Sequence, residues 1–255
     1  MLGKLLKYEL KATARTFLPL YGAIIILALV NKAFLSFEFE YGMLIGFLTL
    51  FGLFIALVVV TLVLTVTRFY KNLLSSEGYL MFTLPVNADQ LIWSKLLVTL
   101  LWMVASCAIG VVTFVVLLWQ TSIPWQDVLN AVKEVFQAAV DGNYMGVIIQ
   151  FIVAFLLSAL GSILMIYASL AIGQLPPFSN NRVAAAVVAF ILINIAVNIL
   201  ELILVFGLGI TIDTPAISSN LGMRILTGAN ILSFIEAVAF YFVTRIILKK
   251  HLNLA

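Results

Sequence analysis

MLIGFLTLFGLFIALVVVTLVLTVT, residues 43–67, carries no charge and runs straight into RFYKNLLSSEGYLMFTL, residues 68–84, which Pro85 closes. The first stretch exceeds the ~20 residues of helix that cross a bilayer. Lipid satisfies no backbone N–H or C=O, so such a run must be helical there. It does not alternate apolar and polar residues as a barrel strand would. The second stretch is the one long polar interruption that combines basic, acidic and aromatic side chains. Phe69, Tyr70, Leu73, Leu74 and Tyr79 are costly to leave in water. Flanked by Arg68, Lys71 and Glu77, they suit lipid headgroups or a groove on a partner. The stretch therefore reads as a short helix on a membrane surface, presented to something in the water. A loop whose charges only keep it soluble is the alternative. Its length, mixed chemistry and the stiff helix that follows argue against that.

The pattern extends outward through the chain. Of 255 residues, 64% are hydrophobic and 10% charged, and the mean hydropathy is +1.20. Soluble domains average about 45–50% apolar and about 25% charged. The excess comes as repeated apolar runs, and the reading is an all-α integral membrane protein with six transmembrane helices. The spans fall near 17–34, 43–67, 91–119, 146–172, 183–206 and 229–248, in a single transmembrane domain 1–255.

Residues 1–16 read as an interfacial helix. Lys4, Lys7, Lys11 and Arg15 share one helix face, and Leu2, Leu6 and Leu10 line another. Their spread, with no cleavage site close behind the first apolar run, speaks against a signal peptide. Gly42 and Gly46 form a GxxxG pair that lets another helix approach. After Pro85, Asn87 is a good N-cap, Gln90 completes a capping box, and Asp89 suits the positive helix end. A helix from Asn87 to about Trp119 would be about 48 Å long, against ~30 Å of hydrocarbon, so its first turns form a stalk in the water.

Residues 120–145 form the largest loop on the far side. Trp125, Val128, Leu129, Val132, Phe136 and Val140 follow helical spacing, with polar residues between them, which predicts a second interfacial helix. Ala154, Ser158 and Ser162 form a small-residue ridge for helix packing in the fourth span. GQLPPFSNNR, residues 173–182, is a tight polar turn. Residues 207–228 are too polar for a span and too apolar for an ordinary loop, and read as dipping into the membrane and returning.

Charge gives the orientation. Lys4, Lys7, Lys11, Arg15, Arg68, Lys71, Lys95, Arg182, Arg245, Lys249 and Lys250 lie near one face. Lys32, Lys133 and Arg224 lie near the other, and together these are all 14 basic residues. The positive-inside rule then places both termini and the 68–85 stretch in the cytoplasm of a plasma-membrane protein. The basic balance is thus a topology signal, with no nucleic acid implied.

Catalytic patterns are absent. The sequence has no GxxxxGK[ST], HExxH, CxxC or GxSxG. It has one cysteine, Cys107, inside an apolar run, and one histidine, His251, in the tail. No enzyme, metal or cofactor is read on this chain. Glu201 and Glu236 lie inside apolar runs, and such acids usually face a bundle interior or a water path. Asn194, Asn198 and Glu201 stand at i, i+4 and i+7, so the fifth span has a polar face. One reading makes Asn194, Asn198, Glu201 and Glu236 the lining of a translocation path. The other lets Glu201 reach the outer interface while Glu236 pairs within the bundle.

RFYKNLLSSEGYLMFTLPVNADQLIWSKL, residues 68–96, resembles the loop between the second and third spans of the type-2 export permeases of bacterial ATP-binding cassette (ABC) transporters. The likeness is strongest at Arg68, Phe69, Tyr70, Lys71, Asn72 and Leu73, at Glu77, Gly78 and Tyr79, and at Thr83, Leu84 and Pro85. The opening LLKYELKATARTFLPLYGAIIILALVN is also similar to these permeases. The resemblance implies a permease subunit that works as a dimer, with the same chain or a relative, on two ATP-binding subunits. ATP and its Mg would bind those subunits. The 68–85 segment would be the coupling helix, with Arg68, Phe69, Tyr70, Lys71, Asn72, Leu73, Glu77, Gly78 and Tyr79 carrying the contact. The segment between the last two spans would enter the outer leaflet. The export substrate stays open among peptide, antibiotic and lipid. Two other classes remain: a gradient-driven secondary transporter, and a membrane anchor for a soluble partner.

Overall fold

The structure is a computed structural model, and it describes residues 2–37, 40–74, 87–118, 125–142, 145–178, 181–207 and 219–250. Among these residues all regular structure is helical. The α-helices are α1 (Leu2–Ser36), α2 (Glu40–Phe69), α3 (Ala88–Leu118), α4 (Trp125–Asp141), α5 (Met145–Ile172), α6 (Arg182–Gly207) and α7 (Ser219–Lys250). A π-helical turn, Tyr70–Leu74, extends α2, and a 3₁₀ turn, Pro176–Phe178, precedes α6. All but α4 are long and apolar enough to cross a membrane, six in all. The architecture is that of an all-α, multi-pass membrane protein.

Three boundaries differ from the sequence reading. Residues 1–16 are not a separate interfacial element, because α1 runs unbroken from Leu2 through Pro19 to Ser36. Proline lacks the amide that would bond the Arg15 carbonyl, yet it does not end the helix, since packing on both sides of it holds the line. The 68–85 stretch does not open as a new helix. Arg68 and Phe69 are the last residues of α2, and its π-helical turn carries on to Leu74. Residues 219–228 are the first turns of the last helix, where a dip and return was expected. Residues 208–218 lie outside the described residues.

The chain divides into two compact units. The first comprises Met1–Thr65 and Leu97–Gly142. Its core joins Phe17, Tyr21 and Ile24 of α1, Leu50 and Leu57 of α2, and Val98 and Trp102 of α3, with Leu6, Leu10 and Ala14 packed against it. Lipid is as apolar as leucine, so contacts between helices must come from close packing and hydrogen bonds. Trp102 supplies both. Its ring stacks on Phe17 at 4.7 Å between centroids, and its indole N–H donates to Thr13 Oγ1 at 2.7 Å. The Tyr21 hydroxyl lies 3.2 Å from the Trp102 carbonyl oxygen and 2.9 Å from Ser106 Oγ. These bonds explain why residues 6–14 belong to the bundle. At the other end of α1, Asn31 is fully buried against Gly46, where an added Cβ would overlap its side-chain oxygen. Gly46 thus makes room for the Asn31 side chain of α1.

The second unit comprises Val66–Leu96 and Asn143–Ala255. Within it α5 packs chiefly on α7 and less on α6, while α6 and α7 touch little. The buried face of α5 is Ala159, Ile163, Leu164, Tyr167, Ala168 and Ala171. The expected ridge of Ala154, Ser158 and Ser162 is not that face: Ser158 and Ser162 are exposed, and Ser162 bonds the Ser158 carbonyl at 2.7 Å. At the turn, Gly173 lets the start of α6 come close, since a Cβ there would press on the Arg182 carbonyl and Ala186. Gln174 Oε1 accepts from Arg182 at 3.4 Å across the same turn.

Trp102→Ala removes the stack and the bond to Thr13 together. It should cost about 3 kcal/mol, seen as a lower unfolding midpoint of the purified chain in detergent. Gly46→Leu should also destabilise. Gly52→Ala should not, because a Cβ there meets nothing within 4 Å.

Candidate functional site

The 68–74 segment has two sides. Phe69, Leu73 and Leu74 are buried, Arg68, Tyr70 and Asn72 are half-buried, and Lys71 is exposed. Phe69 stacks on Tyr167 of α5, with centroids 4.0 Å apart and planes 10° apart. Its ring is part of the core of the second unit. Of the nine residues expected to form one presented surface, six are described, and among these Phe69 and Leu73 are buried while Arg68, Tyr70, Lys71 and Asn72 keep some exposure. Glu77, Gly78 and Tyr79 lie outside the described residues.

Helix α3 begins where the sequence reading starts it, with Ala88 its first helical residue. The Asn87 carbonyl accepts from the amides of Gln90 at 2.9 Å and Leu91 at 3.3 Å. Asp89 in this first turn does more than meet the helix dipole. Its Oδ1 accepts from the Tyr241 hydroxyl at 2.9 Å and lies 2.6 Å from Arg245 Nε. Its Oδ2 accepts from Arg245 at 3.2 Å and from Lys249 Nζ at 3.1 Å. Trp93, one turn along α3, packs on the Tyr241 ring at 5.8 Å. Tyr241, Arg245 and Lys249 stand at i, i+4 and i+8 of α7, so one face of its last turns closes on one carboxylate. Sequence reading missed this cluster, because its two halves are more than 150 residues apart. The only signal was a tyrosine, arginine and lysine at helical spacing near a basic end.

The polar face of α6 is not turned into its own unit. Asn194, Asn198 and Glu201 are all exposed, and α6 is the least covered of the six apolar helices. Asn198 Nδ2 bonds back along its own helix, to the Asn194 carbonyl at 2.7 Å and to its Oδ1 at 3.1 Å. Glu236 of α7 is half-buried, and its Oε1 is buried with no hydrogen-bond partner among the described residues. Glu201 is close enough for the two carboxylates to repel. Glu201 thus acts on Glu236 through its charge, and Asn194 and Asn198 lie exposed on the same helix face as Glu201. Such a face can take up water, a polar solute or another polar helix surface at membrane depth.

Among the described residues no group of three or more His, Cys, Asp or Glu could hold a metal ion. No family model, no curated protein and no solved structure matches the chain.

Neutralising Asp89 should loosen the start of α3 from α7. In a double-mutant cycle of Asp89→Asn with Arg245→Gln, the interaction should be about 1 kcal/mol for this half-exposed pair and should shrink in high salt. Lys249→Ala, on the more exposed cation, should cost less.

Proposed function

We propose that this chain is the permease subunit of an ATP-driven ABC exporter in the plasma membrane, with both termini cytoplasmic. ATP hydrolysis takes place on a separate ATP-binding subunit, two copies per complex, and the chain pairs with a second permease, itself or a relative. The observation that carries the reading is the 68–85 motif between two apolar spans, on the face where eleven of the 14 basic residues lie. The structure adds a physical rationale. Phe69 seats the segment against Tyr167, which leaves Tyr70 and Lys71 on the outer side. Asp89 fastens the following helix to α7. A push on the outer side would therefore move spans of the second unit and not merely a loose loop. A ligand shifts an equilibrium only by its differential affinity for two states. ATP-driven closure of the partner must accordingly enter through contacts that change, and Arg68, Tyr70, Lys71 and Asn72 are placed to make them. The polar residues Asn194, Asn198, Glu201 and Glu236 line the path in this reading, and the cargo belongs to the classes of peptide, antibiotic or lipid.

A second reading, a gradient-driven transporter, draws on the electrostatic influence of Glu201 on Glu236. Two carboxylates in a membrane segment can share a proton or hold a cation. An anchor for a soluble partner would give these residues no role.

Purification of the tagged chain from its host in mild detergent should retain an ATP-binding subunit. Tyr70→Asp combined with Lys71→Glu should cut its recovery at least about tenfold, a change of ~1.4 kcal/mol, and leave the unfolding midpoint unchanged. Phe69→Asp should instead unfold the second unit, since it puts a carboxylate where a ring is stacked. A chain that brings down no ATPase at any salt counts against the exporter. Glu201→Gln and Glu236→Gln separate the two transport readings. Loss of activity that follows a pH gradient favours the gradient-driven transporter, and normal transport by both variants removes these residues from the path.

A further inference from the structure

Among the described residues α4 is the one α-helix not long and apolar enough to cross a membrane, and its charges and apolar residues separate around the axis. At about 100° per residue, Leu129, Phe136 and Val140 fall within about 40° of one another. All three are exposed, at 41%, 59% and 49%. Asp127, Glu134 and Asp141 recur every seventh residue and cluster about 140° away, also exposed. Lys133, the one cation of the helix, sits at the border of the apolar edge. Three acids against one lysine give α4 a net charge of −2.

The chain itself limits what can cover the apolar edge. Residues 119–124 join α4 to the end of α3, and residues 142–144 join it to the start of α5. At ~3.5 Å per residue step these connections reach at most about 25 Å and about 14 Å. Both neighbours are membrane-crossing helices, and three crossings separate α4 from each terminus. A helix held this closely at both ends lies level with the bilayer surface, where an apolar phase is already present beside it. Lysine at the border can bury its stem and keep its ammonium at the headgroups.

We propose that α4 lies along the bilayer surface on the side opposite the termini, with the Leu129, Phe136 and Val140 edge in the acyl boundary and the Asp127, Glu134 and Asp141 line in water. Its net negative charge makes it favour zwitterionic over anionic lipid. The inference does not depend on the exporter reading.

The test uses the full chain with Cys107→Ala, in nanodiscs of phosphatidylcholine. Nitroxide labels go on single cysteines at Phe136, Val140, Asp127 and Glu134. Relaxation by oxygen, which concentrates in lipid, is compared with relaxation by a water-soluble nickel chelate. Oxygen should dominate by about threefold at positions 136 and 140, and nickel by a similar factor at 127 and 134. Nickel dominance at all four positions would place the helix in water and overturn the proposal. Shielding of 136 and 140 from both reagents would mean a protein cover, such as a second copy, and would also overturn it. Replacing half the lipid with phosphatidylglycerol should lower the oxygen-to-nickel ratio at 136 by about twofold. Asp127→Asn, Glu134→Gln and Asp141→Asn together should abolish that drop. An unchanged ratio with all three acids intact would overturn the charge preference.

Discussion

A bilayer leaves no polar group unpaired without cost, and most of this structure follows from that constraint. The backbone meets it by forming helices. Hydroxyls inside the helices meet it by bonding back one turn, as Thr49, Thr61, Thr65, Thr113 and Ser169 do. Larger polar side chains need partners from another helix, and those partners then decide which helices pack. The Trp102 indole finds Thr13, and that bond draws the N-terminal turns of α1 into the first unit. At the half-exposed start of α3, where solvent and not lipid is the alternative partner, the Asp89 carboxylate finds three donors on α7, and that cluster sets the start of α3 in the second.

Some polar atoms remain without a partner, and they show where stability gives way to other demands. Asn31 is wholly buried beside Gly46, and neither its side-chain oxygen nor its nitrogen is bonded among the described residues. Glu236 keeps a buried oxygen near a second carboxylate. The Asn194, Asn198 and Glu201 face of α6 opens outward from its own unit. A chain selected only for burial in lipid would carry none of these. Those on α6 and α7 accord with a role in moving or binding something polar, which both transport readings require.

The 68–74 segment shows how one sequence serves two purposes. Phe69, Leu73 and Leu74 hold it to the second unit, while Tyr70 and Lys71 point outward on the same turns. A π-helical turn has an extra residue per turn relative to an α-helix, and such turns are common at functional sites. Sequence spacing alone treated the aromatic residues as equivalent. Packing against Tyr167 separates them into an anchor and an outward group.

Sequence by itself determined that this protein is helical and multi-pass, because apolar runs of that length admit no other backbone in lipid. It also determined the Asn87 start of α3 and the span of α4, since caps and helical periodicity act within a few residues. Tertiary structure alone decided the continuity of α1 through Pro19, the burial of Phe69, the exposed sides of Ser158 and Ser162, and the partners of Asp89. Each of these depends on residues far apart in the chain that meet only when the helices pack. In lipid the apolar pattern cannot say which side of a helix meets another helix, because membrane and protein interior are equally apolar. Polar contacts and small side chains make that choice, and their partners are fixed only once the helices are together.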